Sequence, residues 1–224
     1  MIIWLASYPK SGNTWVILFL DTLLFEKEGS ININDIKIKQ FPLKQDFSDL
    51  VNNIDDVNEF VKNCNLAQTK INLDNEIKFL KTHHAFWRNG NYAFTDLENT
   101  LGVIHIIRDP RNVITSVFNH FNIDSYAHAL EFMKDPLQCI GVKGGESGHD
   151  LMTIISSWGN HYSSWKKFKK NNLLLKYENL INNPEKEFVK LCNFIEDISD
   201  LKFEKKLILR AIENCNFNNL KKQE

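Results

Sequence analysis

The chain has no cysteine pattern that points to a framework or a metal. Its four cysteines, Cys64, Cys139, Cys192 and Cys215, are widely scattered, form no CxxC pair and have no clustered histidines beside them. That argues against a disulfide scaffold or a zinc site and favours buried thiols in a reducing compartment. No apolar run approaches the roughly 18 to 20 residues that span a bilayer. The N-terminal MIIWLASYPK has too short an apolar run and no basic region, so it does not read as a secretory signal. Excess charge of either sign is also missing. With 27 Lys and Arg against 28 Asp and Glu, net −1, the overall field attracts neither nucleic acid nor an anionic membrane, and any anion site has to be local. There is no repeat, no low-complexity linker and no acidic constellation suited to magnesium. The expectation is one cytoplasmic domain over residues 1–224, with oligomeric state left open.

What is present reads as alternating strands and helices. Residues 2–6 form an apolar run ended by a Tyr-Pro turn, apolar on both faces as a central parallel strand is. Residues 14–25 are apolar nearly all round, as in a buried helix, with Gly29 as its stop signal. Across the polar stretch 31–76, Phe47, Leu50, Ile54, Val57, Phe60 and Val61 recur at helical spacing and imply one or two peripheral amphipathic helices. Further strands are expected at 77–81, 102–107 and 173–177. Asp109-Pro110 and Asn183-Pro184 each look like an N-cap followed by proline at the first helical position. This order predicts an α/β fold with a central parallel sheet and right-handed crossovers. Residues 141–150 are glycine-rich and read as a loop. The aromatic helix at 158–165, with Trp158, His161 and Trp165 at helical spacing, reads as core packing.

Three segments carry chemistry. YPKSGNTW (residues 8–15) lies between the first strand and first helix. Gly12 lets a ligand approach the backbone, Lys10 adds a point charge, Ser11 and Thr14 add hydroxyls, and the helix N-terminus attracts anions. It is a poor match to GxxxxGK[ST], and an ordinary strand-to-helix turn would look much the same in isolation. RDPRNVITS (108–116) places Arg108 at the carboxyl end of another strand, toward the same sheet edge, with Ser116 on the following helix. An ion pair of Arg108 with Asp109 or another acid is the competing structural reading. KTHH (81–84) ends a third strand. There His83, with an ordinary pKa of about 6.5, is suited to taking a proton from a hydroxyl. His84, His105, His120 and His161 have no such argument and read as structural or surface groups.

Together these segments resemble the sulfotransferases that use 3'-phosphoadenosine 5'-phosphosulfate (PAPS). In that family the donor loop reads YPKSGTTW or YPKSGNTW, the 3'-phosphate motif RxPRDxxxS, and a KTH follows a strand. YENLINNPEKE (177–187) matches its YEDL-x3-P-x2-E element, and order and spacing agree from residue 2 to about 195. The resemblance implies a P-loop-NTPase-like three-layer fold and transfer of a sulfuryl group from PAPS to a hydroxyl or amine, without a metal. By the same resemblance, Lys10 neutralises the phosphosulfate bridge, and Ser11, Gly12, Asn13 and Thr14 cradle the 5'-phosphate through backbone N–H and hydroxyl groups. Trp15 stacks on the adenine with Tyr177 near its other side, and Arg108 and Ser116 hold the 3'-phosphate. His83 deprotonates the acceptor, while Lys81 contacts the moving group.

Two departures stand out. The family's RKGxxGDW segment has no counterpart in FNNLKKQE (217–224), which implies a fragment or a more open 3'-phosphate site with weakened donor affinity. Asn112 stands where many relatives have Asp, a mild change. The acceptor, a small molecule, glycan or lipid, is expected to enter beside Phe86, Trp87 and residues 122–150. Two other readings are a nucleotide kinase, which wants a GK[ST] loop and an acidic magnesium ligand, and a non-catalytic nucleotide-binding remnant of the same fold.

Overall fold

The computed structural model describes residues 1–26, 35–141 and 151–215. The chain runs β1 (Ile2–Ser7), α1 (Asn13–Phe25), β2 (Lys39–Gln40), α2 (Val57–Ile71), β3 (Lys78–Thr82), β4 (Arg88–Asn89), β5 (Tyr92–Ala93) and β6 (Thr100–Ile107). It continues with α3 (Pro110–His120), α4 (Tyr126–Lys134), β7 (Cys139–Ile140), β8 (Thr153–Ile154), α5 (Trp158–Lys166), β9 (Asn172–Lys176), α6 (Tyr177–Asn182), α7 (Pro184–Ile198) and α8 (Lys205–Asn214).

The main sheet has the order β2-β3-β1-β6-β9, and all its pairs are parallel. β1 is buried at every position because both faces are covered. Ile3 and Leu5 point into a core shared with α1, α7 and α8 through Phe19, Phe188, Leu191 and Ile208. Ile2, Trp4 and Ala6 point the other way, against Phe41, Phe60, Phe94 and Trp165. Three layers result, the expected α/β architecture. A smaller cluster under α3 and α4 holds Tyr8, Val113, Val117 and Met133.

The expected elements appear with small shifts and three corrections. Strand β9 stops at Lys176, and Tyr177 opens α6 rather than closing the strand. Phe47 through Val61 do not form a continuous helix. Phe47 ends a short 3-10 turn, and α2 starts only at Val57, where the Asp56 side chain accepts from the Asn58 N–H at 2.8 Å. The helical spacing of these apolar residues reflects burial in one core rather than one element. Asp109 caps α3 as expected, accepting from the Arg111 N–H, whereas Asn183 makes no side-chain cap at α7. Gly29 and the glycine-rich segment at 142–150 lie outside the described residues. Cys64, Cys192 and Cys215 are buried and unbridged, and Cys139 is half-buried. No described helix is long and apolar enough to cross a membrane.

Behind the sheet's carboxyl edge lie two buried histidines. The rings of His105 on β6 and His161 on α5 are 6.2 Å apart, and both are about 1% exposed. Burial depresses His105 to about 4 from its ordinary 6.5 and pushes His161 well below that value. The folded state therefore binds fewer protons than the unfolded chain between those values. Stability is full above the unfolded pKa and is lost as pH falls through the window toward 4. For His105 alone, the loss from about pH 7.5 to about pH 5 is about 2 kcal/mol. Urea unfolding at the two pH values should show a drop at least that large at constant m, and His105→Gln should reduce it while leaving the part due to His161.

Candidate active site

The chain leaves four neighbouring strands at one edge of the sheet. In register, Ala6 lies beside Thr82 and His105, Ser7 beside Ile106, and Ile107 beside Lys176. The residues just past these ends are therefore Tyr8 to Ser11, His83, Arg108 and Tyr177. Ligands of open α/β sheets bind outside the carboxyl ends of the strands. All four motifs converge there.

The loop after β1 is held from within. Lys10 is left-handed with φ 66°, and Gly12, the N-cap of α1, has φ 93°. The Asn13 side chain turns inward and donates to the Leu5 carbonyl at 3.0 Å and the Ser7 hydroxyl at 2.8 Å, pinning the turn to its own strand. No side chain caps α1 and no acid sits in its first turn, so its positive end is left for a ligand. Ser11 is buried, and its hydroxyl has no partner. Thr14 is exposed on the first turn. A buried polar group without a partner is costly, so the Ser11 hydroxyl fits an anion in this cradle.

Arg108 is not paired with Asp109. That acid is taken by Arg111, with Nε to Oδ1 at 3.0 Å, which holds its carboxyl down at about 2. Arg108 Nη1 instead donates to the Lys10 carbonyl at 3.1 Å and the Ser116 hydroxyl at 3.2 Å. Its Nε is buried without a partner. The guanidinium lies 4.5 Å from the centroid of the Tyr177 ring. Trp15 and Tyr177 also come together, but edge to face at 6.4 Å, with Trp15 packed likewise on Phe188 at 5.7 Å. They do not form two parallel faces. The buried Trp15 Nε1 has no partner.

His83 sits at the end of β3 with Nδ1 2.7 Å from the Ser7 carbonyl. A carbonyl only accepts, so Nδ1 carries a proton, and in the neutral ring the lone pair is then on Nε2. Lys81 is lowered from its ordinary value by burial first and then by the nearby Lys10 charge. His120 is lowered by burial, then by Lys10 and Lys81. It follows Ser116 by one turn of α3, and so shares that residue's face. The sequence offered no signal for His120, because only the fold brings α3 over the two lysines. Ser7, which links the loop to His83, was also missed, although it directly precedes the YPKSG run. Phe86 and Trp87, expected beside the acceptor's entry, are partly buried. Phe86 packs between Trp165 and Phe168 at 5.6 and 5.4 Å, and Trp87 Nε1 donates to His84 Nδ1. Among the described residues no group of three His, Cys, Asp or Glu is placed to hold a metal.

Comparison with known proteins decides the family. A model described as "Sulfotransferase domain" matches residues 2–224. The chain belongs to the sulfotransferase domain family. It is 28% identical over 205 residues to sulfotransferase 1B1 of Canis lupus familiaris, covering 86% of this chain and 58% of the relative. With human sulfotransferase 1E1 it shares 24% over 237 residues, 97% of this chain and 65% of the relative. Among solved structures, mouse sulfotransferase SULT7A1 complexed with PAP aligns over 98% of this chain and 65% of its own, at TM-score 0.61 and 17% identity. Retinol dehydratase in complex with androsterone and PAP aligns over 99% and 66%, at TM-score 0.59 and 19% identity. This sulfotransferase domain thus spans about three-fifths of the length of the curated relatives it matches.

Gly12 is fixed by geometry in this sulfotransferase fold. A Cβ there would lie 2.3 Å from Tyr177 Cδ2, in a backbone region that side chains rarely adopt. Gly12→Ala should cost roughly 1–3 kcal/mol in chemical unfolding. The Gly12→Ala/Tyr177→Ala double variant should lose less than the sum of the two single changes.

Proposed function

We propose that this domain transfers the sulfuryl group of PAPS to a hydroxyl or amine of a small-molecule acceptor. The observation that carries this reading is the join of Arg108 to both the Lys10 carbonyl and the Ser116 hydroxyl. That join draws the loop after β1 and the first turns of α3 together, so two neighbouring anion sites there would suit a 3',5'-bisphosphorylated nucleoside. Family membership and the PAP-bound structural neighbours support the same donor.

The residues fit such a donor. The α1 N-terminus, the unpartnered Ser11 hydroxyl and Thr14 hold the 5'-phosphate, with Gly12 and Asn13 shaping the turn beneath it. Arg108 and Ser116 hold the 3'-phosphate, and Trp15 and Tyr177 offer aromatic surface to the base. The donor brings an activated sulfuryl group on a phosphosulfate bridge. Lys10 stabilises charge that builds on the departing phosphate, and Lys81 does so on the sulfuryl oxygens in transit. His83, with its Nδ1 proton committed to the Ser7 carbonyl, accepts the acceptor's proton at Nε2. Positioning and charge stabilisation carry most of the catalysis, as in phosphoryl transfer. No step assigned to these residues calls on a metal.

Calorimetric titration with PAP, 5'-AMP and ATP-magnesium tests the donor. PAP should bind in preference to 5'-AMP. Arg108→Ala should weaken PAP by roughly 10- to 100-fold, the loss of charge-assisted hydrogen bonds, while 5'-AMP changes little. ATP-magnesium bound with no preference for PAP overturns the reading in favour of a kinase-like site. His83→Asn should leave PAP affinity unchanged and abolish turnover.

A further inference from the structure

Asp109 caps α3 with its side chain, while its own N–H lies outside the helix ladder and needs a partner from elsewhere. In a capping box, the third helical residue reaches back for that N–H. Here the third residue is the exposed Asn112, and the acceptor comes from 69 residues away instead. Glu178 Oε1 accepts from the Asp109 N–H at 2.8 Å. An acid in the first turn of a helix, as Glu178 is in α6, is ordinary in itself. Its neighbour sets it apart, because the Tyr177 ring lies 4.5 Å from the Arg108 guanidinium. Two consecutive residues after β9 thus hold two consecutive residues after β6, one by its ring and one by its carboxylate. The Asp109 N–H belongs to the planar peptide that joins Arg108 to Asp109. Fixing that peptide fixes the direction in which the Arg108 side chain leaves the main chain, and the guanidinium stays available to the Lys10 carbonyl and the Ser116 hydroxyl.

We propose that Glu178 is a positioning residue that aims the Arg108 guanidinium and thereby sets the preference for a nucleotide bearing a 3'-phosphate. This rests on the reading of Arg108 as the ligand of that phosphate. Glu178 acts through the Arg108–Asp109 peptide rather than on the nucleotide. As a charge it works against a bound phosphate, and as a hydrogen-bond acceptor it works for one. The two contributions separate on substitution.

Calorimetry and NMR on the 224-residue chain test this. Glu178→Ala removes acceptor and charge together. It should bind PAP about tenfold more weakly, the ratio one hydrogen bond to a charged group supports, while 5'-AMP stays within about threefold. Glu178→Gln keeps an oxygen acceptor without the charge and should bind PAP at least as tightly as the wild type. Glu178 is only half-buried, and should Glu178→Ala nevertheless fail to fold, Glu178→Leu fills similar space without an acceptor and gives the same reading. With no nucleotide present, the Tyr177 ring should shift the Arg108 side-chain signals upfield, those signals being assigned by their loss in Arg108→Ala. That shift should persist in Glu178→Gln and shrink in Glu178→Ala. PAP and 5'-AMP weakened alike, PAP affinity unchanged without the acceptor, or Glu178→Gln as weak as Glu178→Ala each overturns the proposal. A wild type with no preference for PAP sinks the donor reading instead. The Arg108 shift then decides the positioning role by itself, which fails if Glu178→Ala leaves that shift unchanged.

Discussion

β1 is hydrogen-bonded in parallel to β3 on one side and to β6 on the other, and the candidate site hangs from its carboxyl end. Ser7, the last residue of that strand, gives its carbonyl to His83 and its hydroxyl to Asn13. One residue thus couples His83, the proposed proton acceptor, to the loop proposed as the anion cradle. Arg108, just past β6, closes the arrangement by gripping the Lys10 carbonyl of that loop. Glu178, just after β9, accepts from the Asp109 N–H at 2.8 Å and ties the fourth strand end to the third. A slip of one register between β1 and β3 would move His83 by a residue and break the Ser7 contact. Burial of both faces of β1 is what forbids such a slip, since Trp4 and Leu5 would have to exchange cores.

The candidate site residues stood out in the sequence because their types are dictated locally. A glycine with φ 93° under a tyrosine ring, a proline at the first position of α3 and an aspartate capping it are requirements of turns and helix ends. The central strands were legible for a related reason: a strand covered on both faces is an unbroken apolar run. What was not legible depends on partners far away in sequence. The two-residue strands β2, β4, β5, β7 and β8 exist only where another segment lies alongside, and no periodicity marks them. Phe47 and Phe60 share a core with their rings 5.3 Å apart, so their spacing looked helical although a turn separates them. Trp15 and Tyr177 were expected on opposite sides of a base. In the fold, Phe188 and Gly12 pack against them and set them edge to face. Ser7 gave no sequence signal, since a serine at a strand end is ordinary.

Charge placement explains how a chain of net −1 gathers positive charge at one strand edge. Burial first and the Lys10 charge second lower Lys81, and burial followed by Lys10 and Lys81 lowers His120, so like charges lie near one another at the strand edge. The helix N-terminus of α1 adds to the same side, with no acid in its first turn to offset it. The acid nearest to Arg108 in sequence, Asp109, is held by Arg111, which keeps the guanidinium of Arg108 directed at the loop. The phosphates of the proposed donor would offset this like-charge repulsion, which a neutral ligand leaves in place. Under the proposed function, selectivity for such an anion comes from where a few cations are held rather than from how many the chain carries. What holds them is the parallel register of the strands from which they project.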